Sequence, residues 1–378
     1  MKKQLFYLSA STIPSASANS VHVMKMCDAF QKKGIETTLF CRRGSDKSKV
    51  DAHFFYGTEP RFRIKNYPTV NLPGVSFLTS LFYLLDILRS QKSNTIYYGR
   101  DIPSLLLCTK LGFDVVYESH GIPQKKALAW MERSLLNSRR LKGVVFISDA
   151  LRDLYNLSQY NFKAIVLHDS ADRPPNHTDK IELKGDSSFN AVYVGALYAG
   201  RGVDLISDLA DALPTVGFHL FGGNELDVAR LNQESIHFGR NNIHFYAYVP
   251  PSETYKCRNS ADVLLMPYQK SVMTINNASE TSRYMSPLKL FEYMSSHKPI
   301  ISSDHVVLQE VLTNEVNALL CDPENVGQWK ESIQRLTVDQ TLCRKLAENA
   351  YEHFETAYTW DIRAALILSS FGNEQGES

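Results

Sequence analysis

Short apolar runs that read as strands, each followed by a polar loop and an amphipathic helix, recur from one end of this chain to the other. Residues 4–9, 36–41, 95–98, 114–118, 143–147 and 163–167 carry the pattern in the first half. A helix over 20–33, stopped by Gly34, joins the first two strands across a loop of small residues at 10–19. Strands separated by helices cannot be paired by tight hairpins, so the sheet they build must be parallel. The alternation fails at 171–189, ADRPPNHTDKIELKGDSSF, which is rich in Pro, Asp, Asn and Lys and reads as a linker. It resumes with strands at 190–194, 217–221, 242–247, 261–267 and 318–321 and a helix at 202–213. A chain of 378 residues is too long for one ordinary core. The reading is α/β, with two Rossmann-like doubly wound domains, 1–170 and 190–356, and a closing helix over 357–371.

Hydrophobic residues make up 44% of the chain and charged residues 21%, which excludes a disordered or a membrane-embedded class. The six cysteines are scattered without a C-x-x-C pair, favouring a reducing cytoplasm and no structural zinc. The opening MKKQLFYLSAS has an apolar run shorter than the ~7–15 residues of a signal core, so it is read as a strand. Residues 77–88 are the most apolar stretch, yet shorter than the ~20 residues a membrane span needs. They are expected to form a core helix.

Charge divides the halves. Residues 1–170 carry 24 Lys and Arg against 13 Asp and Glu, leaving 17 against 27 for the remainder. Basic pairs such as Arg42-Arg43, Lys125-Lys126 and Arg139-Arg140 suit anionic headgroups at the inner face of a cell membrane, or an anionic acceptor. No basic stripe is interleaved with stacking aromatics, so nucleic acid is not an expected partner.

The chemistry concentrates in two stretches. In MSPLKLFEYMSSHKPIISSD, residues 285–304, Ser286 is a good N-cap and Pro287 a good first helical residue. Leu288, Leu290, Phe291 and Met294 give the helix a buried side, and Lys298-Pro299 stop it before a buried strand. Lys289 adds a full charge to the partial positive charge of the first turn, which suits a diphosphate. Glu292 follows about one turn later, where a carboxylate suits ribose hydroxyls. In VGALYAGRGV, residues 194–203, Gly195, Gly200 and Gly202 let backbone approach a ligand, and Arg201 supplies a planar cation for a diphosphate. No G-x-G-x-x-G follows the first strand and no D-x-D occurs anywhere, so neither a dinucleotide fingerprint nor a metal-binding pair is present in the sequence.

The phrase SPLKLFEYM-x-x-x-KPII resembles the donor-site segment of the retaining group 1, or family 4, glycosyltransferases. That resemblance implies a GT-B fold: two Rossmann-like domains facing across a cleft, with the last helix crossing back to the first domain. It implies a nucleotide-sugar site of Gly195, Arg201, Ser286, Leu288, Lys289 and Glu292. Catalytic roles would fall to His120, Arg201 and Lys289, with His120, in YESHG, facing the donor sugar. Ser17, Asn19 and Arg100 would lie on the acceptor side. Two positions depart from the family pattern: Tyr284 stands where a first glutamate is usual, and Ala196 where an arginine is usual.

The expected activity is transfer of a hexosyl group from a nucleoside-diphosphate sugar to a glycan, polysaccharide or lipid-linked acceptor, without cofactor or metal. Two alternatives share the architecture. One is a GT-B sugar-nucleotide epimerase using the same diphosphate grip and water; the other is a two-lobed, non-enzymatic sugar-binding protein.

Overall fold

The computed structural model describes residues 3–44, 51–68, 77–92, 94–175, 179–272 and 280–372. The chain forms two compact units, residues 1–169 with 360–378, and residues 170–359.

In the first unit, β1 (Gln4–Ile13), β2 (Glu36–Arg43), β3 (Arg63–Tyr67), β4 (Thr95–Gly99), β5 (Val115–Ser119), β6 (Leu141–Phe146) and β7 (Lys163–Val166) make one parallel sheet. The order is β3-β2-β1-β4-β5-β6-β7, so the winding direction reverses between β1 and β4. Ligands in such sheets bind where the strand order reverses, beyond the carboxyl ends of the strands. Its helices are α1 (Ala18–Lys32), α2 (Ala52–Tyr56), α3 (Phe77–Ser90), α4 (Ile102–Lys110), α5 (Lys126–Leu136) and α6 (Asp149–Asp153).

The second unit repeats the logic. β8 (Phe189–Val194), β9 (Val216–Gly223), β10 (Ile243–Ala247), β11 (Val263–Met266), β12 (Ile300–Ser303) and β13 (Leu319–Cys321) run parallel in the order β10-β9-β8-β11-β12-β13. The reversal here falls between β8 and β11. Its helices are α7 (Val203–Ala212), α8 (Glu225–His237), α9 (Thr254–Asn259), α10 (Leu288–Met294), α11 (Val326–Val338) and α12 (Gln340–Ala357). Trp329 and Ile333 on α11 pack with Leu209 on α7 and Phe218 and Leu220 on β9 in a continuous apolar core. The closing helix α13 (Trp360–Phe371) belongs to the first unit and packs on α1.

Five local readings are corrected. Strand β1 runs on to Ile13, through residues expected as loop. Strand β3, RIKNY, was not expected, because a charged edge strand buries too little to leave an apolar signature. The helix expected from Pro287 begins at Leu288, since Pro287 keeps an extended ψ of 128° and takes the N-cap position itself. The helix expected in the core, α3, buries Thr79, Ser80, Tyr83 and Ile87 but turns Leu81, Phe82, Leu85 and Leu88 outward. The stretch read as a linker is held within the second unit: Ile181 N–H donates to Ser260 Oγ at 2.8 Å and Lys184 N–H to Tyr246 OH at 3.0 Å. The tail after Phe371, expected to be disordered, lies outside the described residues from 373 onward.

Candidate active-site residues

In the second unit, the loop after β8 and the residue pair after β11 flank the reversal. Gly202 opens α7 with φ of +80°, and a Cβ there would lie 2.0 Å from Pro267 O, so only glycine lets the two strand ends meet. Gly195 plays the matching part: a Cβ on it would sit 2.6 Å from Lys289 Nζ. Val194 N–H donates to Tyr293 OH at 2.8 Å, pinning α10 against the end of β8. These contacts bring Arg201 and Lys289 together. Lys289 Nζ lies 3.6 Å from the Tyr193 ring centre and 5.2 Å from that of Tyr268. The Arg201 guanidinium lies 5.1 Å from the same Tyr268 centre and 4.9 Å from that of Tyr198, whose hydroxyl accepts from Nη2 at 2.7 Å.

Two cations beside one aromatic ring, both largely withdrawn from water, repel each other. Burial, and then the charge of Arg201, push the Lys289 ammonium well below the usual lysine range. Arg201 stays charged: burial works against it, but the surrounding tyrosines more than compensate. Arg201 Nε is buried and has no hydrogen-bond partner among the described residues. Among the described residues no carboxylate touches this buried positive charge, an arrangement that an anion completes.

Ser286 and Leu288 are buried beside Lys289. Glu292 is partly exposed one turn further along α10, 3.7 Å from Arg258 Nη1, so its carboxylate keeps access to solvent. Tyr284 is buried. Glu280 does not take the place of the missing glutamate, because its Oε1 accepts from Ser282 N–H at 2.7 Å within its own loop.

In the first unit, the loop after β1 is tied down locally. Tyr56 OH donates to Ser15 O at 2.8 Å, and Ser20 Oγ donates to Thr12 O at 2.9 Å. Ser17 takes the N-cap position of α1 without a side-chain cap bond, and Asn19 is exposed in the first turn. Arg100 follows β4 and His120 follows β5, on neighbouring strands. Arg100 lies near enough for its charge to act on His120, so the structure brings these two residues together.

Beneath them lies a charge cluster that the sequence reading did not assemble. Glu118 is fully buried. Its Oε1 accepts from Arg363 Nη2 at 2.6 Å and from His120 Nε2 at 2.9 Å and lies 2.8 Å from His22 Nε2, while Oε2 accepts from Tyr7 OH at 2.8 Å. His22 Nδ1 faces Asp169 Oδ1 at 2.9 Å, and Arg363 also donates to the carbonyls of Leu167 and His168. Burial alone would lift the Glu118 carboxyl, yet His22, Arg363 and His120 together hold it well below the usual range. Burial would likewise lower His22, but Glu118 and Asp169 turn its shift upward. For His120 burial wins, aided by Arg100, and its pKa falls to about 3. His120 is therefore neutral near pH 7. Its Nε2–H donates to the Glu118 carboxylate, which leaves Nδ1 as an acceptor. Ligand atoms of His22, Glu118 and His120 lie within 4.8 Å of one another, but the positive partner of Glu118 is already present in Arg363. The signals for this cluster were a carboxylate inside a buried strand, YES, and an arginine inside an apolar helix, DIRAALIL.

Residues 176–353, which include Arg201, Lys289 and Glu292, match the family described as Glycosyl transferases group 1. The match covers 178 of the 378 residues, all of them in the second unit. The whole chain has the GT-B fold. Sucrose-phosphate synthase from Thermosynechococcus elongatus is similar in structure, with 14% identity and a TM-score of 0.71 over 98% of both chains. HepE from Anabaena, in complex with UDP and glucose, has 14% identity and a TM-score of 0.70 over 99% of this chain and 100% of that one. A TarM mutant from S. aureus, in complex with fondaparinux, α-GlcNAc-glycerol and UDP, has 11% identity and a TM-score of 0.71 over 98% and 99%. No curated protein matches the chain by sequence. Among the described residues, no helix is long and apolar enough to cross a membrane.

The protonation of His22 should show in the stability of the protein. A raised native pKa means that the contribution is complete below the unfolded value of about 6.5 and is lost as pH rises through the native one. Thermal unfolding of the wild type should therefore weaken from neutral toward alkaline pH more steeply than that of His22→Gln. Parallel profiles for the two proteins would show that His22 does not balance Glu118 and Asp169.

Proposed function

We propose that this chain transfers a hexosyl group, with retention of configuration, from a nucleoside-diphosphate sugar to a glycan, polysaccharide or lipid-linked acceptor. The observation that carries the reading is the Arg201–Lys289 pair around Tyr268 at the reversal of the second sheet. A diphosphate is the anion whose size and charge complement two adjacent cations. UDP in the HepE and TarM complexes supports a nucleoside diphosphate as the carrier. Fondaparinux and α-GlcNAc-glycerol with TarM support a glycan-type acceptor.

As the glycosidic bond to the diphosphate breaks, the sugar gains oxocarbenium character and the leaving oxygens gain negative charge. Arg201 and Lys289 stabilise that charge from fixed positions, which places the largest electrostatic contribution on protein cations. Neutral His120 accepts a hydrogen bond from the donor sugar through Nδ1. Ser17, Asn19 and Arg100 line the acceptor side. Glu292 accepts the ribose hydroxyls, while Gly195, Ser286 and Leu288 border the nucleotide. With no nucleophile assigned, the acceptor attacks on the leaving-group face and its proton passes to the departing phosphate. The enzyme acts in polysaccharide biosynthesis in the cytoplasm, with peripheral contact at the inner face of the membrane through its basic first unit.

A panel of nucleoside-diphosphate sugars incubated with glycan and lipid-linked acceptors, in excess chelator, tests the reading. Transfer should persist without divalent metal. Activity that vanishes and returns with magnesium or manganese would overturn metal independence, and conversion of the donor without acceptor would favour the epimerase.

Arg201→Ala and Lys289→Ala should each lower kcat on the order of 10²–10³, by analogy with removing one preorganised donor at a developing anion. Loss in kcat should exceed loss in donor affinity, because the leaving group carries most charge in the transition state. The double variant should cost less than the product of the singles, since groups sharing a ligand are coupled. A near-normal kcat in either single variant would remove that residue from the site.

Glu292→Gln should weaken binding of the free nucleoside diphosphate while leaving circular dichroism unchanged, since hydrogen bonds to a charged group contribute about 1.5–3 kcal/mol. Unchanged calorimetric affinity would leave Glu292 as a helix carboxylate paired with Arg258.

A further inference from the structure

Helix α3 is turned against its own hydrophobicity. Tyr83 and Ile87 face the first unit together with Thr79 and Ser80, while Leu81, Phe82, Leu85 and Leu88 are 36%, 45%, 53% and 45% exposed. The spacing of these four at three and four residues makes one continuous stripe on the outward side. Burial inside the unit would be expected for such a stripe, and the helix instead buries Thr79, Ser80, Tyr83 and Ile87. Scattered single apolar residues on a surface are ordinary; an ordered stripe of four marks a contact surface.

The neighbouring helices extend the surface and give it a charge. α3 packs on α4 and α4 packs on α5, so the three lie side by side. Trp130, on α5, is 66% exposed. Arg89 near the end of α3, Lys110 at the end of α4, and Lys125, Lys126 and Arg133 along α5 are all exposed. The carboxylates of these helices are engaged among the described residues. Asp86 pairs with Lys65 and accepts from Tyr67 OH, and Glu132 is buried and accepts from Tyr117 OH at 2.9 Å.

We propose that the α3–α5 face docks on the surface of a bilayer containing anionic lipid. The Leu81–Leu88 stripe and Trp130 enter the headgroup–acyl boundary, and the cations reach lipid phosphates. Leucine and phenylalanine with an interfacial tryptophan, bordered by lysine and arginine, is the composition that favours a helix lying in the interface plane. A second copy of the chain fits less well, because a self-complementary contact would set these cations against the same cations of the copy. The proposal deepens the peripheral-contact part of the function above and rests on that part alone; it holds whichever sugar is transferred.

The test uses the full chain in co-sedimentation with vesicles of phosphatidylcholine alone and with roughly one third phosphatidylglycerol. Wild type is compared with Leu81→Ser/Leu85→Ser/Leu88→Ser and with Lys125→Glu/Lys126→Glu, and unfolding temperature and UDP affinity are measured for each. The wild type should bind the anionic vesicles, and each variant should bind at least about tenfold more weakly with UDP affinity unchanged. Wild-type binding that both variants retain would overturn the surface and leave the peripheral contact standing elsewhere. Absence of wild-type binding to either vesicle would overturn both. A dimer in light scattering that the triple variant dissolves would assign the stripe to a second copy. Loss of UDP binding by the wild type would instead count against the transferase reading and leave the vesicle result to be judged separately.

Discussion

A carboxylate with no exposed atom has to be balanced by its neighbours, and in the first unit that requirement organises the fold. Glu118 sits at the end of a central strand, with Arg363, His22, His120 and Tyr7 around its two oxygens. Leaving one buried partner of such a set uncompensated costs on the order of 3–5 kcal/mol, a large part of the stability of a typical domain. The partners come from β1, α1, the residue after β5 and the last helix of the chain. The charge balance thus explains why α13, remote in sequence, belongs to the first unit: Arg363 is buried because Glu118 is. With His22 protonated, two carboxylates meet one guanidinium and one imidazolium, and the neutral His120 is held in one tautomer by the sum.

The second unit shows the opposite condition. Arg201 and Lys289 both lie near the Tyr268 ring, held by aromatic rings at about 0.5–2 kcal/mol each and, for Arg201, by one hydrogen bond to the Tyr198 hydroxyl. That is too little to hold two buried positive charges, so the lysine gives way and its ammonium is destabilised. In the first unit the buried charges lie against opposite charges, whereas in the second no described carboxylate touches the cation pair, and that difference is what favours reading the second as the anion site.

Much of the fold was legible because parallel strands buried on both faces are continuous apolar runs, and twelve of the thirteen could be placed. Strand β3 escaped because RIKNY buries little. Arg201, Lys289 and Glu292 were legible because glycine spacing and a helix start put charge at strand-to-helix junctions. The tyrosines that hold the two cations were not, since Tyr193, Tyr198 and Tyr268 look like ordinary strand and loop aromatics until the chain is folded. His22 and Arg363 were hidden for a related reason: each is one polar residue among others on its helix, and only the distance to Glu118 gives it meaning. The outward stripe of α3 was misread because hydrophobicity fixes that a face is covered, and not by what.

The two departures from the family pattern bear on how the cation pair works. With Ala196 and Tyr284 in place of an arginine and a glutamate, the segment has lost one charge of each sign, and the rings of Tyr193, Tyr198 and Tyr268 surround what remains. A carboxylate beside Lys289 would have kept it charged at all times and would also have repelled a diphosphate. Aromatic faces do neither. They leave Lys289 with a lowered proton affinity in the free protein, and an entering diphosphate restores that affinity by supplying the missing negative charge. On the proposed reading, binding of the anion and uptake of the proton are one linked event, and the full complement of positive charge would be present only when there is a leaving group to stabilise.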